Sequence, residues 1–200
     1  MDISGEVSKF YSEGFAVREV AAKLGISIDR VYKLMRKKNI PRRSCVEANR
    51  LAYIRKPATF KPVLIENQEQ EILKAIGVML YWAEGAKSGC SVDFANSDER
   101  MIKLFLRFLR GVCGVLEEKL RVYLYCYPQH ENDVRSLIEY WSKVTGINSA
   151  QFTKPYIRRN AGGKVGQKLQ HGLIHVRYND KKLLIQLLKW VDEWCERFHL

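Results

Sequence analysis

Apolar residues recur at helical spacing through the first forty positions. Val7, Phe10 and Tyr11 predict a helix over Ser4 to Glu13, stopped by Gly14. Val17, Val20, Ala21 and Leu24 predict a second helix over Ala16 to Leu24. Gly25, Ile26 and Ser27 predict a tight turn, with Ser27 capping a third helix to about Lys38 that buries Val31, Leu34 and Met35. The period is then lost. Pro41, Pro57 and Pro62 break the chain, and only Ser44 to Ile54 reads as a short helix. From Ala75 to Ala83 no residue is charged, and apolar residues fall on every side of a helix that starts at Gln68 and ends at Glu84. Such a helix is expected to be buried on most of its circumference. Asn67 and Gln70 have the spacing of a capping box, and Gly85 is expected to be the left-handed residue that ends the helix.

Beyond Gly85 the period changes to two and back. Gly89 to Ala95 reads as a strand, with Cys90, Val92 and Phe94 inward against Ser91 and Asp93. Asp98 to Arg110 reads as a helix with Met101, Leu104, Phe105 and Phe108 inward. Its basic stripe, Lys103, Arg107 and Arg110, is read as a solvated surface. Lys119 to Tyr127 alternates most clearly. Leu120, Val122, Leu124 and Cys126 point one way, and Arg121, Tyr123, Tyr125 and Tyr127 the other. Asn132 to Thr145 follows as a helix with Val134, Leu137, Ile138 and Trp141 inward. Phe152 to Arg158 and Gly172 to Tyr178 read as strands around a Gly- and Lys-rich turn at Arg159 to Lys168. Asp180 to Phe198 closes the chain as an amphipathic helix with Leu184, Leu187, Leu188, Val191 and Trp194 inward. The expected class is α+β, with a helical domain over 1–40, a basic linker over 41–66 and an α/β domain over 67–200.

Charge adds a partner to this outline. The formal net charge is +12, and residues 1–61 carry 14 Lys/Arg against 6 Asp/Glu. A basic balance concentrated in the front third favours a polyanion, with nucleic acid the first candidate. Met1 to Gly14 is mixed polar and does not read as a signal peptide, and no apolar run reaches membrane length. Five cysteines, none in a Cys-x-x-Cys pair, indicate neither a disulfide framework nor a zinc site. Cys90 and Cys126 suit small inward core positions, and a reducing cytoplasm is expected. His171 and His175 have no third metal ligand at a suitable spacing, and His130 and His199 read as loop and tail residues.

The run from Val17 to Leu34 resembles the helix-turn-helix of resolvases and many bacterial and archaeal regulators. Ala21, Gly25, Ile26 and Val31 stand where that family places its packing and turn residues. In such a fold the second helix of the pair enters the major groove of double-stranded DNA. Its exposed positions are Asp29, Arg30, Lys33, Arg36 and Lys37, with Tyr32 beside them. Arg30 and Lys33, near the helix start, are candidates for base edges. Arg36, Lys37 and Lys38, with Arg42 and Arg43 beyond, are candidates for phosphate. The competing reading is a small helical bundle with a solvated basic face.

The stretch Gly77-Val78-Met79-Leu80-Tyr81-Trp82-Ala83-Glu84-Gly85 carries a second resemblance. With the helix at 98–110 set aside as an insertion, the order of elements is αββαββα. That order, led by a helix ending Ala83-Glu84-Gly85, resembles a single-motif LAGLIDADG homing-endonuclease domain. The resemblance implies that Glu84 is a catalytic, metal-binding acid holding Mg²⁺. It also implies a homodimer, because paired metal sites need two such acids, and a saddle-shaped sheet that meets DNA. A carboxylate at a helix C-terminus opposes the helix dipole, and a divalent cation is one reason to keep it there. Met79 and Trp82 are bulky where the family packs small residues, and Lys87 and Lys154 are the candidates for its basic residue. Regulators that join a catalytically dead domain of this family to a helix-turn-helix share the resemblance.

Strand alternation points to the sheet independently. Arg121, Tyr123, Tyr125 and Tyr127, with Lys154, Tyr156 and Arg158, and His175 and Arg177, would share the face opposite the core. Basic residues interleaved with aromatics suit a groove or a single strand. Three readings follow: a metal-dependent DNA endonuclease, a non-cleaving DNA-binding regulator, and an RNA-binding protein favoured by the tyrosine face alone.

Overall fold

Local signals at residues 14–27 set the first unit of the fold. The computed structural model describes residues 3–127, 133–157 and 169–199. It divides into two compact units, Met1–Pro57 and Ala58–Leu200. In the first, α1 (Ile3–Ser12), α2 (Val17–Leu24) and α3 (Ile28–Lys37) close around Val7, Tyr11, Val20, Ala21, Val31 and Met35. Gly25 adopts φ 61°, the left-handed geometry that lets α2 stop and α3 begin within three residues. The Ile26 N–H then donates to Ala21 O at 3.0 Å, and Ser27 Oγ accepts from the Arg30 N–H at 3.2 Å.

The segment expected as a basic linker is shared between the two units. Residues 41–57 belong to the first, because α4 (Cys45–Arg55) packs back on it. Gly14, at φ 92°, leaves room for Leu51, whose Cβ would lie 3.2 Å from any added Cβ. The Arg55 guanidinium lies 4.1 Å from the Phe15 ring centre and pairs with Glu19 at 2.8 Å. Residues 58–66 belong to the second unit. Thr59 donates its N–H and its hydroxyl to Asp180 Oδ2, each at 2.8 Å. The N–H groups of Lys61 and Val63 donate to the carbonyls of Gly114 and Val112.

The second unit is α+β. Its helices are α5 (Gln68–Glu84), α6 (Glu99–Phe108), α7 (Val134–Thr145) and α8 (Lys181–Arg197). Its strands are β1 (Val92–Asn96), β2 (Leu120–Cys126), β3 (Tyr156–Ile157) and β4 (Leu173–Tyr178), in the sheet order β1-β4-β2-β3. β4 is antiparallel to both β1 and β2, whereas β3 pairs parallel to β2 over two residues. The inward phase is Val92 and Phe94, Leu120, Val122, Leu124 and Cys126, and Ile174, Val176 and Tyr178. It joins one core with the buried faces of α5 to α8. Among the described residues no helix is long and apolar enough to cross a membrane.

Several expectations are corrected. α5 is buried on one side only, at Gly77, Val78 and Tyr81, while Ile72, Ile76, Met79 and Trp82 are exposed. Gly85 is extended at φ −79°, ψ 154°, not left-handed. It is a glycine for lack of space, since a Cβ there would lie 2.3 Å from the Tyr81 ring. The first strand begins at Val92 and leaves Cys90 exposed. α6 buries Ile102, Phe105, Leu106 and Phe108, with Met101 and Leu104 only partly covered, and a π-helical turn at Leu109–Cys113 extends it. In α8, Leu183 and Trp190 join the buried face, while Leu188 and Trp194 are partly covered. Tyr127 is only 7% exposed, because the chain leaves β2 after Cys126. The strand expected over 152–158 shrinks to two residues. Pro155 supplies no N–H to a ladder, and a 3₁₀ turn at Ser149–Gln151 precedes it. Arg158, His130 and the turn at 159–168 lie outside the described residues.

The close approach of α5 to α6 is testable. A Cβ on Gly77 would sit 2.1 Å from Phe108 Cγ, whereas one on Gly111 meets nothing nearer than 3.7 Å. Alanine favours a helix by about 1 kcal/mol over glycine, but overpacking costs about 1–3 kcal/mol. Gly77→Ala is therefore expected to lower stability and Gly111→Ala to leave it unchanged or slightly raised. Urea unfolding followed by tryptophan fluorescence measures this in the second unit alone, which holds all four tryptophans. Equal stabilities for the two variants would refute the steric account.

Candidate nucleic-acid interface

α3 buries Val31 and Met35 and partly covers Leu34, a spacing that turns Asp29, Arg30, Lys33, Arg36 and Lys37 outward. All five are exposed, and no ion pair to a described residue neutralises the four cations. Asp29 sits in the first turn of α3 and Arg36 and Lys37 in the last, where each sign suits the helix dipole. Tyr32 is half-buried beside them. Its hydroxyl accepts from Arg42 Nη2 at 3.1 Å, and the Arg42 guanidinium lies 4.6 Å from its ring centre. Asp29, Tyr32, Lys33, Arg36 and Arg42 line a shallow hollow of about 490 Å³ with Met35 and Ile40. Arg43 is placed differently. Its N–H donates to the Tyr11 hydroxyl at 2.9 Å, its Nη1 donates to Phe15 O at 3.2 Å, and its guanidinium covers the Tyr11 ring. Arg43 thus closes the first unit, whereas Arg42 remains on the surface.

In the second unit the strand register brings the outward residues together. Arg177 of β4 stands opposite Asp93 of β1 and Arg121 of β2, and His175 opposite Ala95 and Tyr123. Tyr125 stands opposite Tyr156 of β3. Asp93 is the centre of this face. Its Oδ2 accepts from Arg177 Nε at 2.6 Å, and its Oδ1 lies 2.8 Å from His175 Nδ1. Burial works to raise the Asp93 carboxyl. The hydrogen bond and charge of His175, and those of Arg177, outweigh it and hold the group below the usual carboxylate value. Arg177 also lies 4.1 Å from the Tyr123 ring centre. Tyr125 sits 4.5 Å from the His175 ring and 5.3 Å from the Tyr156 ring. Arg121 directs Nη1 to the carbonyls of Glu118 and Leu120, both at 2.7 Å. Lys154 is exposed, two positions before the exposed Tyr156. His171 is not part of this face and stacks on Tyr140 at 3.9 Å.

Asp93 was legible only as an outward residue of β1. Alternation places it on that face, but nothing local pairs β1 with β4, and the pairing is what sets it against Arg177 and His175. The basic stripe of α6 is ion-paired. Lys103 meets Glu99, Arg107 meets Glu69 at 2.6 Å, and Arg110 meets Glu117 at 2.5 Å.

Glu84 ends α5 on the surface, five residues beyond the exposed Met79 and two beyond the exposed Trp82. The backbone around it is well held. The Gly85 N–H donates to Tyr81 O at 2.8 Å, the Ala86 N–H donates to Asp93 O at 2.9 Å, and the Tyr81 hydroxyl donates to Ala86 O. Burial pushes the Tyr81 hydroxyl up to about 12, so it holds this corner as a neutral donor. A single chain offers one carboxylate here. Among the described residues no three Asp, Glu, His or Cys side chains converge on a point that would hold a metal ion, so Glu84 alone does not fit a divalent cation. Comparison of the chain with protein-family models, curated proteins and solved structures finds no match.

The Asp93 network carries a pH signature. Its folded-state carboxyl titrates below the unfolded value, so its stabilisation is complete above that value. It is lost as pH falls through the folded value, that is, from about pH 4 downward. Asp93→Asn is expected to cost about 1–3 kcal/mol at neutral pH, because asparagine keeps one acceptor oxygen where Arg177 and His175 use two, and carries no charge. The variant should also lose less further stability than the parent between about pH 5 and pH 3. Urea midpoints from tryptophan fluorescence across that range measure both. Parallel pH profiles would contradict the network.

Proposed function

We propose that the protein binds double-stranded DNA through its first unit, which acts as a helix-turn-helix with α3 in the major groove. The observation that carries this reading is the exposed basic face of α3, four cations on one side of a helix whose other side is sealed by Val31 and Met35. The left-handed turn at Gly25 and the cap at Ser27 support it, because they hold α3 in a fixed attitude to α2. Arg30 and Lys33, near the start of α3, are assigned to base edges, and Arg36, Lys37 and Arg42 to phosphates. Arg43 is assigned to holding the unit together. Such a protein would act in the cytoplasm, at the nucleoid.

The second unit is assigned to dimerisation and to further nucleic-acid contact by its sheet. Ile72, Ile76, Met79 and Ala83 are spaced to form one exposed stripe along α5. Packed against the same stripe of a second copy, it would make a homodimer in the manner of the LAGLIDADG family, with the bulky Met79 and Trp82 widening the approach. A metal-dependent endonuclease is the second reading, favoured by the position of Glu84 just past the end of that stripe. A dimer would supply the second carboxylate that one chain lacks. The non-cleaving regulator shares every other feature.

Duplex binding is expected to fall steeply with salt. Lys37→Ala should weaken it on all sequences and lower the salt slope by about one ion. Arg30→Ala should relax choice at one base pair by about 1–3 kcal/mol. Fluorescence anisotropy on a randomised duplex pool measures both, and duplex binding unchanged in both variants would remove α3 from the interface.

Ile76→Glu is expected to yield a monomer in sedimentation equilibrium if the stripe is the dimer contact. Plasmid nicking with Mg²⁺ or Mn²⁺ separates the two readings. Cleavage that Glu84→Gln abolishes, with binding intact, supports the endonuclease. Tight binding without cleavage at any site leaves the regulator.

A further inference from the structure

The outward face of the sheet differs in kind from α3. On α3 the cations are free and the rings are few. On the sheet the arginines are engaged and the rings are many. Arg177 and His175 are both held by Asp93, and Arg121 is turned to backbone carbonyls. A major-groove reader needs arginine or lysine forks free to meet base edges, and the centre of this face offers none. It offers instead a run of rings across three strands: Tyr156 on β3, Tyr125 on β2 and His175 on β4, with neighbouring centroids 5.3 and 4.5 Å apart. Tyr123 lies alongside, beneath Arg177.

These tyrosines have no part in the core. Tyr123, Tyr125 and Tyr156 belong to neither hydrophobic cluster, and Tyr156 is 56% exposed at the sheet edge. Asp93 keeps His175 and Arg177 in place and so keeps the platform ordered. The face is also net positive, with Arg121, Arg177 and Lys154 against the one carboxylate of Asp93. Lys154 lies two residues before Tyr156 and Arg121 four before Tyr125, and because β3 and β2 run parallel, positive charge lies along one side of the rings. Rings with positive charge along one margin match a strand whose bases are unpaired. Such bases present π-faces to the protein, while their phosphates run along the margin. A paired duplex hides those faces inside its stack.

We propose that this face is a second nucleic-acid site that takes single strands, stacking unpaired bases on Tyr156 and Tyr125, with Lys154 and Arg121 along the phosphates. The proposal deepens the nucleic-acid reading of the sheet given above and is independent of α3. Single-stranded DNA and RNA share the chemistry, and the experiment uses both.

The test is anisotropy of labelled single-stranded oligo-dT and oligo-U of about 12 nucleotides, the span such sites cover, against the full chain and, in parallel, a duplex. Tyr156→Leu and Tyr125→Leu are each expected to weaken single-strand binding about tenfold, since stacking contributes about 1–3 kcal/mol per base. Tyr156→Phe and Tyr125→Phe should retain it, because the ring rather than the hydroxyl makes the contact. Arg36→Ala should leave single-strand affinity unchanged while weakening the duplex. Tighter binding of oligo-U than of oligo-dT would name RNA as the natural strand, the reverse order would name DNA, and either supports the site. Tyr156 is a surface residue, so its leucine variant folds, and a melting curve checks Tyr125→Leu. No single-strand binding at low salt, phenylalanine variants as weak as the leucine ones, or loss of single-strand binding in Arg36→Ala would overturn the proposal. Single-strand binding by the parent chain with no duplex binding would instead count against the reading of α3.

Discussion

α5 meets α6 at a separation that only a glycine permits, and much of the second unit follows from that contact. Gly77 faces Phe108 with no room for a Cβ. Phe108 continues into Phe105, which stacks 4.2 Å from Phe94 and 5.9 Å from Tyr81. The approach fixes the rotation of α5 about its own axis. Val78 and Tyr81 turn inward, and Tyr81 holds the chain beyond the helix by its bond to Ala86. Gly85 then bridges to Phe94, and β1 begins with Phe94 inward and Asp93 outward. One steric contact therefore sets which residue of β1 can reach Arg177 and His175 of β4. It also leaves Ile72, Ile76 and Met79 of α5 turned away from the core of the second unit.

Electrostatics divides the two units more sharply than formal charge does. On α6, and at Arg177 on the sheet, guanidinium groups meet carboxylates, so their charge is largely answered within the fold. Exposed pairs of this sort add little stability, but they remove the free donors that a polyanion would engage. On α3 the charge is unanswered, because that surface holds only Asp29 as an acid. The basic balance concentrated in the first third of the chain is accordingly also the part available to a partner. The sheet keeps a smaller positive excess and adds rings, which suits a different form of the same polymer.

The helical unit was legible in outline because its determinants are local. Spacing at Val7 and Tyr11, Val20 and Ala21, and Val31 and Met35, with the glycine at 25 and the serine at 27, specifies three helices and a turn within a few residues of each position. The docking of α4 was not legible. Its own sequence has little amphipathic pattern, and its attachment depends on the gap at Gly14 and on Glu19, far away along the chain. In the second unit, alternation identified which phase of β2 and β4 is buried. The shortening of β3 at Pro155 and its parallel pairing to β2 were missed, since a period of two carries no direction.

The amino-acid sequence by itself determined the α+β class, the helix and strand periods, the concentration of charge in the front third and the outward set Arg121, Tyr123, Tyr125, His175 and Arg177. These are properties of short windows, and the pleat or the helical turn converts them directly into faces. Only the tertiary structure decided that Asp93 ties His175 to Arg177, that Arg43 serves the fold and that Glu84 stands on the surface at the end of an exposed stripe. Each of these depends on contacts between residues distant in the chain. Their geometry is set by strand register and by how closely two helices can pack, and neither is written in any single window of residues.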